Sequence, residues 1–199
     1  AAEILGDYDM LLRDKVVPFV QAAYGLGGEM VAIADCVQKA FKAQRDFLEQ
    51  VTASRKPSDD DLEEILEETS EVLVEIADWE EAEGEMSNHL KLVANGMAAL
   101  AWVSLDTPVT YVTEVVNSLP VFSDKVLKEA AQRRKREKEE REKEEKEKGG
   151  EAAEDDGPDL DTELVTRFRD AIRGVLGYVK QYHSQGLQWN PNGKQLTLQ

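Results

Sequence analysis

GGEMVAIADCVQKAFKAQRDFLEQVTASRKPS, residues 27–58, is the stretch from which the fold class is read. Val31, Ala34, Val37, Phe41, Phe47, Leu48 and Val51 recur mostly at three- and four-residue intervals. That spacing lines one face of an α-helix. The Gly25–Gly28 stretch breaks the chain before it, and Lys56-Pro57-Ser58 stops it. Proline cannot donate the next helical hydrogen bond, and Ser58 is a natural N-cap for a new helix. The stretch therefore reads as one long helix with a single buried face.

The same period extends in both directions, and strand alternation is nearly absent. Upstream, a helix is expected from about Asp7 to Tyr24, with Leu11, Leu12, Val16, Phe19 and Val20 inward and a kink at Pro18. Downstream, Asp59, Asp60 and Asp61 fall in a first helical turn, where the helix dipole favours carboxylates. Leu62, Ile65, Leu66, Val72, Leu73 and Ile76 carry that helix's inner face to Trp79, and Gly84 ends the run. A fourth helix opens at Glu85 or Ser87, with Leu90, Val93, Met97, Leu100 and Ala101 inward, and stops before Asp106-Thr107-Pro108. A fifth begins near Thr110, is expected to bend or break at Pro120, and packs Val112, Val115, Val116, Leu119, Phe122 and Val126.

Residues 133–148 are Arg, Lys and Glu only, so nothing there can be buried. Opposite charges four apart, such as Glu137–Arg141 and Glu139–Lys143, still hold a solvated helix, each pair adding about 0.2–0.5 kcal/mol. The fifth helix should thus run out past the body and end at Gly149-Gly150. A flexible acidic loop at 149–161 and a final helix from Leu160 to His183 follow, the latter with Leu164, Phe168, Ile172, Val175, Leu176 and Val179 inward. Leu187-Gln188-Trp189-Asn190-Pro191 reads as an ordered tail, since a Trp usually seeks a pocket. The economical architecture is all-α: one antiparallel six-helix bundle over residues 1–199, with 132–161 a charged helix extension and loop before the last helix.

Charge narrows the partners. The chain has 199 residues and a net charge of −17, and between Lys56 and Lys91 there are 14 carboxylates and no Lys or Arg. Such a surface repels phosphate backbones, so no nucleic acid is expected. No apolar run approaches the ~20 residues of a membrane span, so none is expected. A single cysteine, Cys36, allows no intrachain disulfide and fits a reducing, cytoplasmic setting. Its neighbours Ile33, Val37 and Ala40 suggest a buried, inert thiol. The chain opens on Ala1 and not Met, which fits a segment of something longer.

Catalytic material is scarce. Glu85 and His89 sit four apart, but a di-iron bundle needs Glu and His three apart on two helices, and Asn88 occupies that place. No metal or cofactor is expected, and His89 reads as a surface or capping residue. His183, near the end of the last helix, suits the dipole's preference for positive charge there. Gly25-Leu26-Gly27-Gly28 follows a helix and no Lys-Ser/Thr comes after it, so it terminates a helix and cradles no phosphate. These readings point to a non-enzyme.

Asn88-His89-Leu90, the run from Ala98 through Leu100-Ala101-Trp102-Val103, Tyr111-Val112, Asn117 and Val126-Leu127-Lys128-Glu129 resemble the amino-terminal helical domain of adenylyl cyclase-associated proteins. So do Gly27-Gly28-Glu29, Phe41-Lys42-Ala43-Gln44-Arg45, Ala53-Ser54-Arg55-Lys56-Pro57, Tyr178-Val179-Lys180 and the run from His183 to Trp189. The likeness covers nearly all of the chain outside 132–161, which is longer than that family's usual junction. It implies a six-helix bundle that binds cofilin-decorated actin at filament pointed ends and speeds release of terminal subunits without hydrolysing ATP. Adenylyl cyclase, the family's other partner, is met through an amino-terminal coiled-coil segment not evident before Asp7. The β-rich actin-monomer domain is missing too, so nucleotide exchange is not expected of this chain. A homodimer is allowed.

Actin- or cofilin-contacting candidates on this reading are Pro108, Tyr111, Asn117, Lys125, Lys128, Lys180, His183 and Trp189. Each also reads as a cap, a solvated charge or a packing anchor. The competing function is a helical scaffold or adaptor working through the charged extension, which would call for apolar heptads that residues 133–148 lack.

Overall fold

Among the described residues, six helical rods build the fold, and the first is itself composite. In the computed structural model, which describes residues 2–150 and 159–196, α1 (Ala2–Leu11) passes through a π-helical turn (Leu12–Val16) into α2 (Val17–Leu26). This turn stands where a kink at Pro18 was expected. A π-turn inserts a residue into the hydrogen-bond ladder, so Pro18 falls in the first turn of a fresh helix, where no N–H is needed. The second rod, α3 (Glu29–Ala53), begins after Gly27 and Gly28, at φ +72° and +57°. A side chain would be strained at both angles, which is why glycine ends the first rod. The stripe of α3 is buried as read at Ala34, Val37, Phe41, Phe47, Leu48 and Val51; only at its start does fully buried Met30 take the place of Val31, which is 37% exposed.

Ser58 caps α4 (Asp59–Ile65), its Oγ accepting from the Asp61 N–H at 3.2 Å. The expected unbroken helix to Trp79 instead breaks at Leu66, which is turned into the core, and resumes as α5 (Glu67–Ala77) and a 3-10 turn (Asp78–Glu81). The fourth rod is α6 (Ser87–Met97) with a 3-10 segment (Ala98–Ser104). The fifth is α7 (Pro108–Lys148), which continues through Pro120. Pro120 is exposed, so the Val116 carbonyl that its missing N–H leaves unbonded lies on the wet side of the helix. Ala130 is the last buried residue of α7, and the charged stretch beyond it is helical as read. Of the expected acidic loop, residues 151–158 lie outside the described residues. The last rod is α8 (Leu160–Tyr182), capped by the Asp159 side chain, which accepts from the Thr162 N–H at 3.0 Å.

Each rod packs on the next, α8 closes the ring against α1 and α2, and α3 also touches α6. Short connections make successive rods antiparallel. The core between them centres on Phe19, Met30, Phe41, Leu48, Leu90, Trp102 and Phe168. Helices α6, α7 and α8 meet at Gly96, where a Cβ would stand 2.4 Å from the Phe168 ring and 3.1 Å from Leu119. After α8 the tail returns to the end of α3. Asn190 N–H donates to the Ser54 carbonyl (2.9 Å) and Lys194 N–H to that of Ala53 (3.0 Å), while Trp189 packs edge-on against Phe47 at 6.1 Å. The two motif-bearing stretches Ala53–Pro57 and His183–Trp189 therefore meet at one end of the bundle.

Candidate interaction surfaces

Polar side chains inside the bundle are consumed in fastening helices together. Gln44 of α3, fully buried, accepts from Tyr8 Oη (3.1 Å) and Trp102 Nε1–H (3.2 Å) and donates Nε2–H to the Leu100 carbonyl (2.9 Å). Tyr8 also reaches the Phe41 carbonyl at 3.2 Å. One amide thus ties α1, α3 and the segment after α6. Its signal was present in the sequence, a polar residue on the inner stripe between Phe41 and Leu48, and sequence reasoning passed over it.

His89 corrects an expectation. It is fully buried, not at the surface, and its Nε2–H donates to Asp161 Oδ1 at 2.6 Å. Asp161 Oδ2 lies 3.5 Å from Arg133 Nη1. This cluster pins α6 and α7 to the start of α8, and Arg134 pairs with Asp159 beside it. The hydrogen bond from His89 holds the Asp161 carboxyl below its usual range, against the opposing effect of burial. Positions 72 apart in the chain leave no local signal, so this pair was invisible to sequence reasoning.

His183 is corrected as well. It is buried between Trp102 (ring centroids 4.9 Å apart) and Tyr178 (5.4 Å), so its ring is not on the outer surface and places no charge at the helix end. Burial pushes its pKa down to about 4, because water is not there to solvate the imidazolium. The sign follows for both groups. Below pH ~6.5 the unfolded chain takes up the His183 proton and the native one does not, so stability falls with pH and levels off near 4. The Asp161 contribution persists through that range and is lost only as pH falls below the ordinary aspartate pKa, through its lower folded value. Urea midpoints measured across this range should decline in those two stages, and His183→Phe should remove the upper one. A flat wild-type profile between pH 6.5 and 4 would contradict this.

Of the other candidates, Pro108 is buried at the start of α7. Tyr111 is half-buried, its hydroxyl donating to the Ala98 carbonyl at 2.7 Å. Trp189 is half-buried on Phe47. Cys36 is half-buried, not buried, with its thiol 3.6 Å from Glu75 Oε1; desolvation and that carboxylate raise its pKa and keep it protonated. Asn117, Lys125, Lys128 and Lys180 are exposed. The first three share the outer face of α7. With Arg133 beside Asp161 fixing the register, Lys180 lies ~20 Å from Lys128 along the antiparallel axes at 1.5 Å per residue. The candidates therefore form no single cluster.

Among the described residues, no group of three or more His, Cys, Asp or Glu is placed to hold a metal ion, and no helix is long and apolar enough to cross a membrane. The acidic helices α4 and α5 line a shallow groove with Asp60, Glu63, Glu64 and Glu67. The outer faces are the candidate surfaces.

The fold and this distribution of polar groups define an all-α bundle domain whose buried chemistry is architectural. Residues 8–142 match the family model described as "CAP, N-terminal domain". This chain belongs to that family, the amino-terminal domain of adenylyl cyclase-associated proteins. It is 28% identical over 175 residues to the adenylyl cyclase-associated protein of Hydra viridissima, covering 86% of this chain and 31% of that protein. With human adenylyl cyclase-associated protein 2 it shares 25% over 189 residues, 94% of this chain and 35% of that one. The chain thus spans about a third of the length of the curated relatives it matches. The solved N-terminal domain from Dictyostelium discoideum superimposes with TM-score 0.77 at 22% identity, over 96% of this chain and 97% of that one. A second N-terminal domain structure of this family, described as indicating variable oligomerisation, gives TM-score 0.78 at 22% identity, over 98% of this chain and 94% of that one.

Proposed function

We propose that this chain is an actin-turnover module of the cytoplasmic actin cytoskeleton: it binds cofilin-decorated filaments at their pointed ends and speeds departure of terminal subunits, without catalysis of its own. The observation that carries the reading is the family match over residues 8–142, joined to the actin role that the sequence resemblance implies. The outer faces support it, because Asn117, Lys125, Lys128 and Lys180 are exposed while His89, Asp161, Gln44 and His183 are committed to the interior. A rigid body of this kind accelerates departure by binding the loosened terminal geometry more tightly than the intact end. Adenylyl cyclase enters as a partner of the longer relatives, by their name, and self-association through the variable oligomerisation described for a related domain; both are extensions of this reading.

The test is filament shortening watched by microscopy, with cofilin, in the presence and absence of the chain. Lys125→Glu and Lys180→Glu are each expected to slow shortening several-fold with the circular dichroism spectrum unchanged, since reversing a rim charge chiefly alters encounter and its salt dependence. Shortening at the wild-type rate in both variants would remove these lysines from the interface. No acceleration by the wild-type chain would remove the function.

A further inference from the structure

Val121, Lys125, Lys128, Gln132 and Lys135 follow one another along α7 at intervals of four and three, which stacks them in one row on one helical face. Arg136 flanks the far end. All six are exposed, Val121 by 59%. At 1.5 Å per residue the row measures about 21 Å from Val121 to Lys135. It crosses the point, after Ala130, where α7 leaves the bundle, so half of it stands on the body and half on the projecting helix.

The cations of this row have no salt-bridge partner among the described residues, whereas Arg133 and Arg134 between them turn inward to Asp161 and Asp159. Of the acidic neighbours on α7, Glu129 is occupied by Asn88 Nδ2, which donates to it at 2.6 Å, while Asp124 and Glu139, four positions from Lys128 and Lys135, form no ion pair with them among the described residues. Elsewhere the molecule is strongly acidic, with a net charge of −17. Four unpartnered cations aligned on such a protein form a local recognition element.

We propose that this row of α7 is a docking rail for an acidic protein surface, with carboxylates meeting Lys125, Lys128, Lys135 and Arg136 and an apolar side chain covering Val121. A short acidic ridge fits the ~21 Å length. A bilayer or a nucleic acid would extend past it into the repulsive field of the remaining surface, which a Debye length of ~8 Å at physiological salt does not hide at the rail's own edges. The proposal rests on the actin reading for its partner, the cofilin-decorated filament, and adds to it a role for the root of the projecting helix.

The experiment is co-sedimentation of the full chain with cofilin-decorated actin filaments at low and high salt, alongside flotation with vesicles of phosphatidylserine and phosphatidylcholine in equal parts. Lys125→Glu/Lys128→Glu should weaken filament binding by about tenfold and Lys135→Gln/Arg136→Gln by roughly threefold, both flattening the salt dependence. Lys148→Gln, near the distal end of α7 and on the opposite side of the helix, should bind as wild type. These positions are exposed, so a matching thermal melt separates binding from folding. Wild-type affinity in both double variants, with the unaltered chain binding filaments, overturns the rail and leaves the actin reading standing. No binding by the unaltered chain overturns the actin reading, and the rail's filament partner with it. Vesicle flotation lost in the double variants assigns the row to lipid and overturns the acidic protein partner.

Discussion

Asp161→Ala is expected to cost about 3–5 kcal/mol of stability, because it removes one partner of a buried pair and leaves the other without compensation. His89 is fully enclosed, and its Nδ1 has no hydrogen-bond partner among the described residues. Losing the 2.6 Å bond from Nε2 would leave the whole imidazole unpaired, and Arg133 would lose its nearest carboxylate. At roughly 2–4 °C per kcal/mol for a domain of this size, the melting temperature should fall by about 10 °C. The double variant His89→Leu/Asp161→Leu should recover most of that loss, since no polar group is then stranded. A urea titration of the unaltered chain and the two variants decides it. A single-variant loss below about 1 kcal/mol would show that the pair fastens nothing.

Trp102→Ala is expected to be as damaging, about 3–5 kcal/mol, through the cavity left by an almost fully buried indole. Its ring lies against His183 at 4.9 Å and its Nε1–H reaches Gln44 Oε1 at 3.2 Å. The substitution therefore empties volume and removes a donor from Gln44 at once. Trp102→Phe separates these effects: it keeps most of the packing and loses only the hydrogen bond, so about 1–2 kcal/mol should be lost. Total stability for a domain is about 5–15 kcal/mol, so the alanine variant stands near the limit of folding at all. Equal losses for alanine and phenylalanine would assign the effect to the hydrogen bond and not to the volume.

Both residues show where sequence reading reached and where it stopped. The helical rods were legible because their signals are local: apolar residues at three and four, Ser58 before three aspartates, Gly27-Gly28 between two stripes. Finer geometry was not. The break at Leu66 and the π-turn ahead of Pro18 depend on which neighbour each helix must cover, and Met30 rather than Val31 faces inward for the same reason. Histidines were the hardest to place. His183 was read as a surface charge, yet its surroundings are Trp102, Tyr178 and Tyr182, which only the closed bundle assembles. Of the surface candidates, Asn117, Lys125, Lys128 and Lys180 were readable as outward-facing because they fall between apolar positions. Pro108 was not, since its burial comes from the chain turning back into the core.

The closure of α8 against the first rod also governs how this chain can be made. Tyr178 Oη donates to the Ile4 carbonyl across 174 positions, and Arg167 Nη1 reaches the carbonyl of Pro18 across 149. While the polypeptide emerges from a ribosome, the apolar side of α1 and α2 meets α3 early but waits for its second cover until all of α3 to α7 has been synthesised. Helical segments form in microseconds, whereas contacts so remote in the chain come late. The interval is a window of exposure, during which Val16, Phe19 and Val20 are left half-sheltered and open to capture by chaperones or by one another.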